Sequence, residues 1–266
     1  MESINKFNHF NINTITKDYY NIHSYYSNDT VFNQWLAGLI DGDGYFYNLS
    51  NKYPSLTIDM ERKNMPLLNF IHSRIGGIIM SNIKGRPNVV RLTIRKRVHM
   101  LDLVNRVNGN IRNSVRVPQL KSVCLVLNVQ FLTPTPLTPS NAWFTGFFDA
   151  DGTIIASFTS SFFIKIHVTN KHHSDLESYR SIFNGSLNAV RTSQGVVYAH
   201  RWSISSKSDI LAMNSYFKLY PPISHKASRV DMIEEYYGLY NIEAYKFNSP
   251  HYSKWLSLAE RWKTEF

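Results

Sequence analysis

The chain has 266 residues, room for one large or two modest folded units, and 43% of them are apolar, enough to build a core. Lys and Arg outnumber Asp and Glu by 29 to 19, a formal net charge of +10 that fits a polyanionic partner such as nucleic acid. No apolar run approaches the roughly 18 to 20 residues a membrane-spanning helix needs, and the single cysteine, Cys124, excludes an intrachain disulfide and lies in the apolar run VCLVL as a core residue.

The first 30 residues are rich in Asn, Tyr, Ser and Thr and poor in Arg; they carry no secretory signal and read as a loosely ordered lead-in. A helix is predicted from residue 34 to about residue 42, with Asn33 as its N-cap. Residues 45–49 and 56–61 then form a hairpin joined through Asn51, Lys52 and Pro54. Residues 65–75 carry apolar side chains at 67, 68, 70, 71 and 75, an amphipathic helix that Gly76 and Gly77 terminate. A second hairpin follows over 78–84 and 89–96. Its second strand alternates Val90, Leu92 and Ile94 with Arg91, Thr93 and Arg95, so that one face is core and the other cationic. Helices over 98–107 and 118–131 complete the series, and residues 132–141, with three prolines, are a linker.

The same order then repeats. A helix from Trp143 is followed by strands over 153–158 and 162–169, a helix over 175–183, a hairpin over 186–205 turning at Ser193, Gln194 and Gly195, and helices over 209–217 and 225–240. Residues 252–263 form an amphipathic closing helix without counterpart in the first copy, with Trp255 and Trp262 as core anchors.

The repeat is anchored by WLAGLIDGDG at 35–44 and WFTGFFDADG at 143–152, a shift of 108 residues that superimposes Gly38 on Gly146, Asp41 on Asp149, Asp43 on Asp151 and Gly44 on Gly152. Small residues four apart, Gly38 and Gly42 in one copy, Gly146 and Ala150 in the other, allow two helix backbones to touch. Each helix ends in Asp-x-Asp-Gly, which leaves Asp43 and Asp151 at the negative end of a helix dipole. If the helices cross closely, two carboxylates and two sets of C-terminal carbonyls make an all-oxygen pocket that repels itself until a divalent cation fills it; hard oxygen donors indicate Mg²⁺.

At these residues the chain resembles the LAGLIDADG homing endonucleases in their monomeric, two-motif form, the first copy differing from the family name only at Gly42. The resemblance covers residues 31 to 240. It implies an α+β fold of tandem αββαββα units related by pseudo-twofold symmetry, with two antiparallel sheets forming a DNA-binding saddle. The divisions expected are a lead-in over 1–30, a first half over 31–131, a linker over 132–141 and a second half over 142–266. It further implies hydrolysis of one phosphodiester on each strand of a long double-stranded DNA target. Asp43 and Asp151 match the metal-binding acids, Gly42 and Ala150 positions that lend a carbonyl, and Asp41 and Asp149 the structural acids. Lys121 and Lys226 stand where the family places a lysine near the reacting water. The 108-residue shift assigns the water-ordering position to Asp59 and His167.

On the sheets, the alternation offers Asn82, Lys84, Arg91 and Arg95 in the first half and Lys165, Arg191, Arg201 and Ser203 in the second as DNA contacts, arginines for guanine edges and rim lysines for phosphates. Two alternatives belong to other classes: an RNA maturase acting on its own intron, and a DNA-binding regulator that does not cut. The retained pair of acids argues against the regulator. The abundance of Asn, Ile, Tyr, Phe and Lys matches an AT-rich genome, and together with this composition the family resemblance implies an intron reading frame in a mitochondrion.

Overall fold

The structure, a computed structural model, describes residues 26–49 and 53–264. Most of the expected lead-in, and Asn51 and Lys52 of the first turn, therefore lie outside the described residues. Helix α1 runs Asp29–Asp43, beginning earlier than the sequence reading placed it. Asn28, not Asn33, caps it: its side-chain oxygen accepts from the Thr30 amide at 2.8 Å. Asp29 then lies in the first turn, where the dipole favours an acid, and pairs with Arg74 and Arg106 at 2.9 and 3.0 Å.

Strands β1 (Gly44–Leu49) and β2 (Tyr53–Glu61), helix α2 (Met65–Ile75), strands β3 (Ile78–Met80) and β4 (Val89–Ile94), and helices α3 (Arg97–Val107) and α4 (Arg116–Leu127) follow. The second copy comprises α5 (Trp143–Asp151), β5 (Gly152–Ala156), β6 (Ile164–Asn170), α6 (Glu177–Phe183), β7 (Ser186–Arg191), β8 (Val197–Ile204), α7 (Lys207–Leu219), α8 (Ala227–Asp231), α9 (Ile233–Asn241) and the closing helix α10 (Tyr252–Thr264). The helix expected over 225–240 is thus broken at Met232. β3 is shorter than expected, because beyond Met80 only an isolated bridge between Ile83 and Arg86 remains.

Each copy folds into a four-stranded antiparallel sheet, β1-β2-β4-β3 and β5-β6-β8-β7. The inward residues of the central strands, Leu56, Ile58, Val90, Leu92 and Ile94 in one sheet and Ile164, Ile166, Val168, Trp202 and Ile204 in the other, are buried, as period-two alternation requires. Trp255, Trp262 and Cys124 join the core as expected. In the linker, Asn108 accepts from the Leu132 amide and Arg112 donates to the Thr135 carbonyl, so this segment is tied to the first half.

The two motif helices pack against each other through their glycines. A Cβ built on Gly38 would stand 1.9 Å from the Trp143 carbonyl oxygen, and one on Gly146 1.8 Å from that of Trp35. Both distances are far inside any real contact, so only glycine permits this approach. Gly42 obeys the same logic: its missing Cβ would lie 2.4 Å from the Cβ of Ala150. One alanine fits at this crossing and two do not, which accounts for glycine in the first copy.

Side chains lock the crossing reciprocally. The Trp35 indole donates to Asp149 of the other helix at 2.8 Å, and the Trp143 indole donates to Asp41 at 2.9 Å. Asp149 also accepts from the amides of Ile223 and Ser224, and Asp41 from that of Arg112. The first acid of each motif therefore fastens the opposite helix and the segment leading into its own copy's later helices. Burial raises both carboxyls, Asp41 to about 7.

Candidate active site

At the C-terminal ends of α1 and α5 the acids Asp43 and Asp151 come together. A Cβ on Gly42 of α1 would sit 3.3 Å from the Asp151 Oδ2, which places that carboxylate against the opposite helix end. Burial, and next the charge of Asp151, push Asp43 up to about 7. Asp151 opens to solvent at the helix ends, yet the surrounding protein also raises its carboxyl, with Lys226 and Arg116 pulling the other way. A cleft of about 370 Å³ opens beside Asp43, lined among others by Asp59, Glu61, Lys63, Arg86, Ala150 and Lys226.

Two cations face the acids. Lys226 donates to the carbonyls of Phe148, Asp149 and Ala150 at 2.9, 3.0 and 2.8 Å, capping the end of α5. In the first half this place is taken by Arg116, whose guanidinium reaches the Gly42 carbonyl at 3.3 Å. Lys121, expected there, is exposed with its ammonium over the Phe131 ring at 4.9 Å.

The register of the sheets explains the displacement. Gly44 pairs with Ile58 and Gly152 with Val168, so in the central strands, β2 and β4 against β6 and β8, the offset between copies is 110 residues, not the 108 of the motif. At this offset Arg116 corresponds to Lys226. It also makes Thr169, not His167, the counterpart of Asp59: Asp59 pairs with Arg91 across the sheet, and Thr169 with Arg201. His167 corresponds to Thr57. It is half-buried, its Nδ1 has no hydrogen-bond partner, and burial, with Arg201 and Lys165, lowers it to about 4, so it is neutral at pH 7.

Asp59 lines the cleft with Asp43, but its oxygens are held by Arg91 at 2.6 and 2.7 Å and by Arg86 at 2.7 Å. The Arg91 bonds are the main reason its carboxyl lies below the ordinary range. The cationic face expected for the first sheet is therefore neutralised at its centre. Thr93 on that face is buried, Asn82 and Lys84 are exposed beyond the end of β3, and Arg95 is exposed past the end of β4. In the second sheet Lys165 and Arg201 lie half-exposed on the outer face, Arg201 bonding Thr169 Oγ1 at 3.2 Å. Arg191 is exposed at a β-bulge and donates to the Gly195 carbonyl, and Ser203 is buried with its hydroxyl 3.3 Å from that of Ser186.

For a divalent cation the available donors are the carboxylates of Asp43 and Asp151 and the carbonyls of Gly42 and Ala150, all hard oxygens. The self-repulsion registered by the raised Asp43 is what such an ion would relieve. No group of three or more His, Cys, Asp or Glu side chains is arranged around a common point among the described residues, so the carbonyls and substrate oxygens would have to complete the shell. No helix among the described residues is long and apolar enough to cross a membrane.

Paired αββαββα units joined through two motif helices, with acids at the helix ends, define the two-copy LAGLIDADG class. No protein-family model matches the chain. It is 40% identical over 97% of its length to the intron-encoded RNA maturase bI4 of Saccharomyces cerevisiae, and 30% identical over 79% of its length to the intron-encoded DNA endonuclease ai2a of Dictyostelium discoideum, covering 42% and 67% of those relatives. The chain spans about two-fifths of the length of the first two curated relatives it matches. Among solved structures its fold is similar to the LAGLIDADG meganuclease I-AabMI bound to uncleaved DNA, at a TM-score of 0.60 and 18% identity over 86% of this chain and 98% of that one. It is similarly like the LAGLIDADG homing endonuclease I-LtrWI bound to target DNA, at a TM-score of 0.60 and 14% identity over 87% and 97%. The chain belongs to the LAGLIDADG homing endonuclease family.

Proposed function

We propose that the chain is an intron-encoded homing endonuclease that hydrolyses both strands of a long double-stranded DNA target. The observation that carries this reading is the convergence of Asp43 and Asp151 at the ends of two helices that only glycines allow to touch. A structural helix pair would gain nothing from two acids at its negative dipole ends, where they repel each other.

Asp43, Asp151 and the carbonyls of Gly42 and Ala150 would hold Mg²⁺. When bound, the ion lowers the pKa of water and stabilises the leaving oxygen. The chain's own contribution is positional. Lys226 and Arg116, anchored on the carbonyls behind the acids, place fixed positive charge next to the scissile phosphates and favour the extra negative charge that develops on them. Asp59 in the cleft orders water on one side, whereas the matching position of the second half offers only the Thr169 hydroxyl, and this inequality predicts unequal cutting of the two strands. Exposed Arg95 and Lys84 bind phosphates, and Lys165, Arg191 and Arg201 serve the second half-site. The target comes from the intron-free form of the host gene, the protein acts as a monomer, and the intron-encoded relatives support an origin in an organelle genome, here a mitochondrial one.

The decisive experiment incubates purified protein with a duplex spanning the intron-free exon junction, in Mg²⁺ and separately in EDTA. A double-strand break confined to Mg²⁺ is expected; an intact duplex in both would refute the proposal. A second reading, an RNA maturase for the host intron, is favoured by the name of the 40% identical relative. It predicts tight binding and accelerated splicing of the intron RNA, with or without cleavage.

A further inference from the structure

The two sheets present different chemistry at matching positions of their outer faces. In the first sheet the face opposite the core carries Tyr45 and Tyr47, stacked with ring centroids 6.0 Å apart, and Ile78 and Met80 on the other edge strand, all substantially exposed. Between them lies Arg91, closed by two hydrogen bonds from its guanidinium to Asp59. The matching positions in the second sheet are Thr153 and Ile155, Ser186 and Asn188, and Arg201 on Thr169. Arg201 meets a neutral hydroxyl where Arg91 meets a carboxylate, and neither Arg201 nor Lys165 forms an ion pair among the described residues. The exposed cations near the first face, such as Arg95, lie beyond the strand ends, where they suit phosphates and carry no sequence information.

We infer that the two half-sites are read by different chemistries: the first sheet by apolar contact of Tyr45, Tyr47, Ile78 and Met80 with thymine methyl groups, the second by hydrogen bonds from Arg201 and Lys165 to guanine. The inference rests on the duplex-DNA reading above. Its physical basis is that the major groove exposes the thymine methyl as its one apolar feature and guanine O6 and N7 as acceptors for arginine. A guanidinium already bidentate on a carboxylate would have to break two charge-assisted bonds to reach a base, whereas one held by a single hydroxyl contact gives up little. The target is therefore A·T-rich where the first sheet binds and contains specified guanines where the second binds.

The test selects tight binders from a duplex library randomised across both halves, in Ca²⁺, with wild-type protein, Arg201→Ala and Asp59→Asn. Wild type is expected to enrich A·T pairs in one half and guanine in the other. Arg201→Ala should lose only the guanine preference, and Asp59→Asn, by releasing Arg91, should bring a guanine into the A·T half. Replacing thymine by deoxyuracil in the A·T half should weaken binding about fourfold for each contacted methyl removed, and leave binding unchanged in the other half. Guanine enrichment in both halves, no enrichment in either, or indifference to deoxyuracil overturns the inference while leaving duplex binding intact. Failure to bind any duplex overturns the DNA reading itself.

Discussion

Replacing Gly38 by alanine adds one methyl group at the crossing of the two motif helices. That carbon would stand 1.9 Å from the Trp143 carbonyl oxygen and 2.8 Å from the Phe147 amide nitrogen, both backbone atoms that cannot rotate away. Ordinary contact begins near 3.4 Å, so the helices must part locally by about 1.5 Å or the methyl must be overpacked. Overpacking costs about 1 to 3 kcal/mol, and the rigidity of both partners places this case toward the upper end. At about 2 to 4 °C per kcal/mol for a chain of this size, a cost of about 2 to 3 kcal/mol should lower the melting temperature by about 4 to 12 °C. Asp43 lies little more than one turn beyond Gly38, so the parting spreads the acids, and misplacement of about 1 Å can cost about a hundredfold in rate. Calorimetric melting and initial cleavage rates on a plasmid target read the two effects separately. Gly238→Ala is the control: it lies in α9 with nothing within 4 Å of the added carbon, and should gain up to about 1 kcal/mol. If Gly38→Ala melts and cuts like the wild type, the helices do not meet through this glycine.

Asp43 titrates near 7 in the folded chain, against about 3.9 for an ordinary aspartate, so between those values the folded state keeps a proton that the unfolded chain releases. Stability in a chelator should therefore fall as pH rises from about 4 to about 7; Asp43→Asn should melt above the wild type at pH 8, with the gap closing toward pH 4, as thermal unfolding across pH will show. Trp143→Phe leaves a buried oxygen of Asp41 short of one donor and should cost about 1 to 3 kcal/mol by denaturant unfolding, with no change in sheet residues. Lys226→Met removes three carbonyl contacts and a charge beside the acids; cleavage should drop at least tenfold while duplex affinity in Ca²⁺ changes little, and an unaltered rate would free Lys226 from any role. Affinity for the duplex should fall steeply with salt, by about 0.9 in log affinity per log salt for each phosphate neutralised, and a flat titration would remove the backbone from the interface.

The motif told most about the fold because its information is local: glycines four apart on one helix face, an acid at a helix end and a second copy in register need no knowledge of distant partners. Helix α2 and the alternation along β4 and β6 were legible for the same reason, being set by burial of every third or fourth, or every second, residue. The offset change from 108 to 110 was hidden because two inserted residues preserve the in-out parity of a strand, so the hydrophobic pattern is the same with or without them. That concealed both the match of Arg116 to Lys226 and the match of Asp59 to Thr169. The Asp59–Arg91 clamp was equally invisible, since each residue alone reads as a polar outward position and only the strand pairing sets them side by side. The crossed Trp–Asp bonds join residues 114 and 102 positions apart and depend on the helix crossing that the glycines permit.

The account turns on two acids serving one site from opposite helices, and strand-resolved cleavage tests this most directly. Each strand of the duplex target is labelled separately and the wild type is compared with Asp43→Asn and Asp151→Asn in Mg²⁺, with duplex binding measured in Ca²⁺. Each single substitution is predicted to abolish the double-strand break while keeping duplex affinity within a few-fold of the wild type. Cleavage of both strands at the wild-type rate by either variant would contradict it.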